Sequence, residues 1–209
     1  KRQAAATPLA ERAAALRHAL GFGGEATRGQ APTPARSKSA ATRRPTVLVA
    51  GDQPDVVAAL RKAGLPVRPI TFTPFDQAAA GKVRHFETYN RTQAGQRVAD
   101  IVSALRAAPG AVLVASGDAA LAGALASAIE PPRLAVLDVD GFTTANDDGY
   151  LARLYVPGLR RAGDLRTASD LAQGRLVIHN AGAEFDAPGA RVERRKLAPA
   201  EIAALVRQP

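Results

Sequence analysis

Residues Val112–Ile129, VLVASGDAALAGALASAI, decide how the chain is read. The run that closes at Ala115 is apolar and rich in valine, the signature of a strand buried on both faces. Ser116-Gly117-Asp118 breaks it. The next eleven residues are Ala, Leu, Gly, Ser and Ile, a helix whose small side chains let it lie close against a sheet, with Asp118 as the expected cap. A buried strand turning sharply into a helix is where many α/β enzymes carry a nucleophile, so the chemistry of 116–118 is the central question.

Outward from that stretch, short β-branched runs alternate with helical periods from Pro45 onward. Strands are expected at Thr46–Ala50, Val67–Phe72, Ala111–Ala115, Leu134–Val139, Leu176–His179 and Ala190–Arg195. Between them, Pro54–Ala63 sets Val56, Val57 and Leu60 on one face, with Asp52 near its start and Gly64 past its end. Thr92–Ala107 sets Ala94, Val98, Ile101, Val102 and Leu105 on one stripe, with Asn90 as expected cap and Gln93 three residues on. The last helix, from Ala198, turns Ile202, Leu205 and Val206 inward. The fold class that follows is α/β: a three-layer sandwich around a mostly parallel sheet of about six strands.

Residues 4–20 read as a helix with Leu9, Ala13, Leu16 and Leu20 on one side, ended by GFGG. The segment EATRGQAPTPARSKSAATRRP has no apolar period and reads as a basic linker. The expected organisation is thus 1–44, N-terminal helix and Pro/Ala-rich linker, and 45–209, the α/β body. Nine of the 28 Lys/Arg but only two of the 19 Asp/Glu lie in residues 1–44, so the formal charge of +9 belongs mostly to that segment. The body is nearly neutral, and only 4% of the chain is aromatic, leaving few rings for base stacking; a nucleic-acid partner is not expected. Nor is a membrane, since no apolar run reaches membrane-spanning length. The absence of Cys excludes disulfides, thiol catalysis and Cys-ligated zinc without deciding the redox compartment. The chain opens on Lys1 and contains no Met, from which we expect a segment of a longer polypeptide with an upstream domain.

Two cofactor classes are disfavoured by single residues. VLVAGDQPDVV offers only Gly51 to approach a pyrophosphate, and Asp52 would repel one; no Gly-Lys-Ser/Thr loop occurs. No cofactor is expected.

LAVLDVDGFTTANDDGY ends an apolar strand in Asp138-x-Asp140-Gly141 with Thr143 after it, and resembles the first motif of haloacid-dehalogenase-like phosphatases. The resemblance implies Asp138 as nucleophile, Asp140 handling protons, and both near Mg²⁺, with Asp147 and Asp148 available to complete the metal shell. That family's motif lies on the first strand of its core, whereas three expected strands precede this one. The competing reading has Asp138 and Asp140 bonding loop amides at a strand end.

A broader likeness covers roughly residues 45–207. HFETYNRTQAGQRVADIVSAL (85–105), the 112–129 stretch, LAVLDVDGF and YVPGLRRAGDLRTASDLAQGRLVIHNAG (155–182) resemble successive blocks of α/β-hydrolases of the acetyl-xylan-esterase-like and dienelactone-hydrolase-like kind, from the third strand of that fold onward. The resemblance implies a carboxylic ester hydrolase as parent protein, a carbohydrate or ester ligand, and a secreted or periplasmic setting. Carried onto this chain, its Gly-x-Ser-x-Gly elbow falls on Ala115-Ser116-Gly117-Asp118-Ala119, which puts Gly117 at the nucleophile position and Ser116 one residue early, on the opposite face of the strand. No His follows the last strand, where the general base belongs; His85 and His179 lie elsewhere, while Glu184 or Asp186 takes about the place of the triad acid.

The expectation is a non-catalytic, degenerate hydrolase-like domain that serves packing, homo-oligomerisation or substrate presentation beside an upstream domain. Two alternatives stay open: an ester hydrolase using Ser116 with His179 or His85 and Asp186, and a Mg²⁺-dependent phosphatase at Asp138 and Asp140.

Overall fold

A computed structural model describes residues 7–24, 44–82 and 90–208. Six strands, β1 (Val47–Ala50), β2 (Val67–Pro69), β3 (Val112–Ser116), β4 (Leu134–Asp138), β5 (Leu176–His179) and β6 (Arg191–Val192), form one sheet in the order β2-β1-β3-β4-β5-β6. Every pairing is parallel. The helices of the described residues are α1 (Leu9–Ala19), α2 (Pro54–Lys62), α3 (Gln77–Gly81), α4 (Gln93–Arg106), α5 (Asp118–Ile129), α6 (Asp147–Arg153), α7 (Asp164–Leu171) and α8 (Pro199–Arg207).

Alternation along the central strands sorts the core into two. Val47, Val49, Val112, Val114, Val136 and Val177 meet Leu60 of α2 and Ile202 and Val206 of α8 on one face. Leu48, Leu113, Ala115, Leu137 and Ile178 meet α4, α5 and α7 on the other. The molecule is the expected three-layer α/β sandwich.

Helix α5 is buried nearly all round because it lies between the sheet, α4 and α7. Its small residues are what permit this. A Cβ built at Gly123 would stand 3.1 Å from Leu113 Cδ2 and 3.3 Å from Leu137 Cδ2, so the helix rests on the sheet at that point.

The strands at the ends of the sheet are shorter than the sequence suggests. β2 stops at Pro69, the Ile70 N–H beyond it still donating to the Val49 carbonyl at 2.7 Å, and β6 keeps two residues of the six expected. The cap of α4 is Thr92 rather than Asn90: its Oγ1 accepts from Gly95 N–H at 3.2 Å and donates to the Tyr155 carbonyl at 2.6 Å. Thr92 sits one residue before the first helical turn, the position from which a side-chain oxygen reaches the third N–H. The short helices α3, α6 and α7 were not expected. Asn146 caps α6 by accepting from Gly149 N–H, and Asp147 and Asp148 fill its first turn.

Leu16 and Leu20 of the first helical segment, with Phe22 after it, are buried in the same core as α4 and α5, and Arg12 reaches Asp170 of α7 at 3.0 Å. Leu9, expected on the same side, is exposed. The expected linker at 25–45, except for Arg44 and Pro45, and the candidate His85 lie outside the described residues. No helix of the described residues is long and apolar enough to cross a membrane.

Candidate functional site at the carboxyl edge of the sheet

The strand order reverses at β1, whose neighbours β2 and β3 run off to opposite sides, so the crevice of a doubly wound sheet opens beyond the ends of β1 and β3. Gly51 follows β1 and Gly117 follows β3. Gly117 adopts φ 60° and ψ −134°, a region nearly closed to residues with a Cβ, and its N–H donates to the Asp138 carbonyl at 2.8 Å. The strained strand-to-helix turn is therefore present, and it falls on a glycine. A Cβ built there would have no neighbour within 4 Å. Asp118, expected as the cap of α5, is instead its first residue, and Gly117 stands at the cap position.

Ser116, Asp138 and His179 end β3, β4 and β5 in register and share the face of the sheet covered by α2 and α8. The order across the sheet is Ser, Asp, His. A triad needs the imidazole between hydroxyl and carboxylate, whereas here two strand spacings, about 10 Å, separate the strands of Ser116 and His179. The Ser116 hydroxyl points instead toward the β1 end, 2.7 Å from where a Cβ of Gly51 would sit.

His179 is 1% exposed, and its Nδ1 accepts from Leu197 N–H at 3.2 Å, tying β5 to the segment that leads into α8. Burial pushes its pKa down; the Asp138 carboxylate opposes that, while Lys196 and Arg195 add to it. Asp138 is 6% exposed. Its Oδ1 accepts from Asn180 Nδ2 at 2.7 Å and from Asp140 N–H at 3.0 Å, and Lys196 Nζ lies 3.0 Å from Oδ2. Burial alone would push the Asp138 carboxyl up, but the donors from Asn180, Lys196 and Asp140 together with the field of His179 hold it below the ordinary value. Asp140 and Asn180 both have positive φ, so this one carboxylate secures two left-handed turns, after β4 and after β5.

The remaining candidates are dispersed. Asp140 points to solvent, with Arg153 Nη2 at 3.9 Å. Asp147 pairs with Arg160 at 2.9 Å, and Asp148 is exposed. Asp186 is exposed on the loop after β5 and pairs with Arg166 at 3.1 Å. Ser116, His179 and Asp186 are thus not brought together. Among the described residues no three His, Asp or Glu side chains are placed to share a metal ion, and a cation at Asp138 would have to displace the Lys196 ammonium. The Arg91 guanidinium of Asn90-Arg91-Thr92 lies over the Phe22 ring and donates to the Gly21 carbonyl, and among the described residues it meets no carboxylate.

Set against protein-family models, curated proteins and solved structures, the chain matches none.

One constellation was not foreseen. At the first turn of α5, Asp118 receives two guanidinium groups: Arg97 Nη1 from α4 at 3.1 Å on Oδ2, and Arg153 Nε from α6 at 2.9 Å on Oδ1. All three line a cavity of about 390 Å³, together with Tyr155 and Leu151. The signal in the sequence is faint. Arg97 lies beside the apolar stripe of α4, and Asp118, Arg97 and Arg153 are tens of residues apart, so only the fold brings them to one place.

Proposed function

We propose that this is a degenerate α/β-hydrolase-like domain that binds and presents a ligand at the carboxyl edge of its sheet and does not turn it over. The observation that carries the reading is the strained turn at Gly117: the backbone of a nucleophile elbow, with empty space where the reactive side chain belongs. Among the described residues the serine nearest to it, Ser116, shares no proton path with an imidazole, and the buried His179 already spends its Nδ1 on Leu197. Without an activated hydroxyl and without a proton shuttle, a serine hydrolase loses about six orders of magnitude in turnover. In a larger carbohydrate-esterase-like protein, an upstream domain would supply the chemistry and this one the binding surface.

The test is hydrolysis of p-nitrophenyl acetate by the full chain and by Ser116→Ala. The expected result is no turnover above the buffer rate for either protein. Turnover by the parent chain that Ser116→Ala abolishes would replace this reading with that of an ester hydrolase of non-standard site. Mg²⁺-dependent release of phosphate from p-nitrophenyl phosphate, lost in Asp138→Asn, would replace it with that of a phosphatase.

A further inference from the structure

The described lining of the cavity beside Asp118 carries an unbalanced charge. Of the described residues that line it, three are charged: Arg97, Arg153 and Asp118. Within the lining one carboxylate faces two guanidinium groups, a net +1; Asp140, outside the lining and 72% exposed, lies 3.9 Å from Arg153 Nη2, where water screens it. The first turn of α5 turns its free N–H groups toward the same end and adds to the positive potential. Both arginine side chains are only 25% exposed, so the surplus charge is not simply left to water.

The two arginines are used differently. Arg153 is fully employed: Nε on Asp118, Nη1 on the Asp140 carbonyl at 3.2 Å, Nη2 3.9 Å from Asp140 Oδ2, and its guanidinium 5.6 Å from the centre of the Phe142 ring. Arg97 makes one bond, from Nη1 to Asp118, and among the described residues its Nε and Nη2 meet no acceptor. Those two nitrogens present the parallel pair of donors that fits a carboxylate. The rest of the wall is of another character: Tyr155 and Leu151, two of the three large apolar side chains exposed among the described residues, are 42% and 61% exposed.

We infer that this cavity binds a small organic monoanion, its carboxylate held on Arg97 beside Asp118 and its ring or chain laid against Tyr155 and Leu151. The volume suits a ligand of one or two rings. The net +1 matches one negative charge, whereas a dianionic phosphate would leave the site negative beside Asp118. This inference rests on the reading that the carboxyl edge binds without turnover, and it names the class of ligand bound.

Benzoate is the probe, titrated into the full chain and followed by backbone amide shifts, with benzamide as its neutral isostere and inorganic phosphate as the dianion. Benzoate is expected to saturate with a Kd on the order of 1 mM, as befits nine heavy atoms, with shifts at the first turns of α4 and α5. Benzamide and phosphate are each expected to bind at least about tenfold more weakly. Arg97→Gln should weaken benzoate about tenfold or more. Asp118→Asn removes the competing carboxylate and should tighten it about threefold or more; this gain of affinity keeps the test valid if Arg97→Gln fails to fold. Lack of saturation, equal binding of benzamide, or a loss of affinity in Asp118→Asn would overturn the inference. An esterase would instead reveal itself by ester turnover, so the two failures are distinct.

Discussion

Replacing Gly117 with alanine isolates the cost of the turn from the cost of packing. The backbone at φ 60°, ψ −134° disfavours any residue with a Cβ, and such conformations cost about 1–3 kcal/mol each. No atom lies within 4 Å of the new Cβ, so no overlap is added. Gly117→Ala and Gly117→Ser should therefore destabilise alike, by about 1–3 kcal/mol, or about 2–4 °C in Tm per kcal/mol for a chain of this size. Gly51 provides the contrast. It too has positive φ, +86°, but a Cβ there meets Ser116 Oγ at 2.7 Å and the Ser116 carbonyl oxygen at 2.9 Å. Overlap of that kind adds about 1–3 kcal/mol to the strain, and the share due to the hydroxyl should be recovered in a Ser116→Ala background. Urea denaturation measures both, with midpoints shifted and slopes unchanged. A Gly117→Ala variant as stable as the parent, or one destabilised as much as Gly51→Ala, would refute the strained and open turn.

The buried His179 should make stability fall on the acid side of neutrality. Its folded pKa lies below the 6.5 of the free side chain, so its contribution is complete above pH 6.5. It is lost as pH falls toward the lower folded value, because only the unfolded chain takes up the proton, at up to about 1.4 kcal/mol per pH unit. Thermal unfolding between pH 5 and 7.5 should show that slope, and His179→Asn should flatten it. Asp138 acts at lower pH. Its contribution is present above 3.8 and is lost as pH falls through its depressed folded pKa. Asp138→Asn should cost about 1–3 kcal/mol at pH 7, the modest figure reflecting that its partner Lys196 is 69% exposed and readily rehydrated. Thr92→Ala removes a helix cap and the donor to the Tyr155 carbonyl at once; about 1–2 kcal/mol is expected from chemical denaturation.

The architecture was legible because buried parallel strands announce themselves: the valine-rich runs at 47–50, 112–115 and 134–138 and the helical stripes at 54–62 and 93–106 all lie where periodicity puts them. Ends were less legible, since the limits of β2 and β6 depend on where neighbouring strands stop and not on the residues themselves. Short helices such as α6 leave too few turns for a period to show, although the Asn146-Asp147-Asp148 run was a usable capping signal. The one-residue offset between Ser116 and the turn could be read from the Gly-x-Ser-x-Gly spacing, and the backbone places the turn on Gly117. The Asp138–Lys196–Asn180 knot and the Arg97–Asp118–Arg153 cluster could not be read, because each joins residues from three elements whose meeting is set by tertiary packing.

The central claim, a nucleophile turn without a nucleophile, meets its most direct test in the intact mass of the chain after incubation with a fluorophosphonate. The account predicts an unmodified mass under conditions that label a serine hydrolase to completion. An adduct that maps to Ser116 and disappears in Ser116→Ala would contradict it.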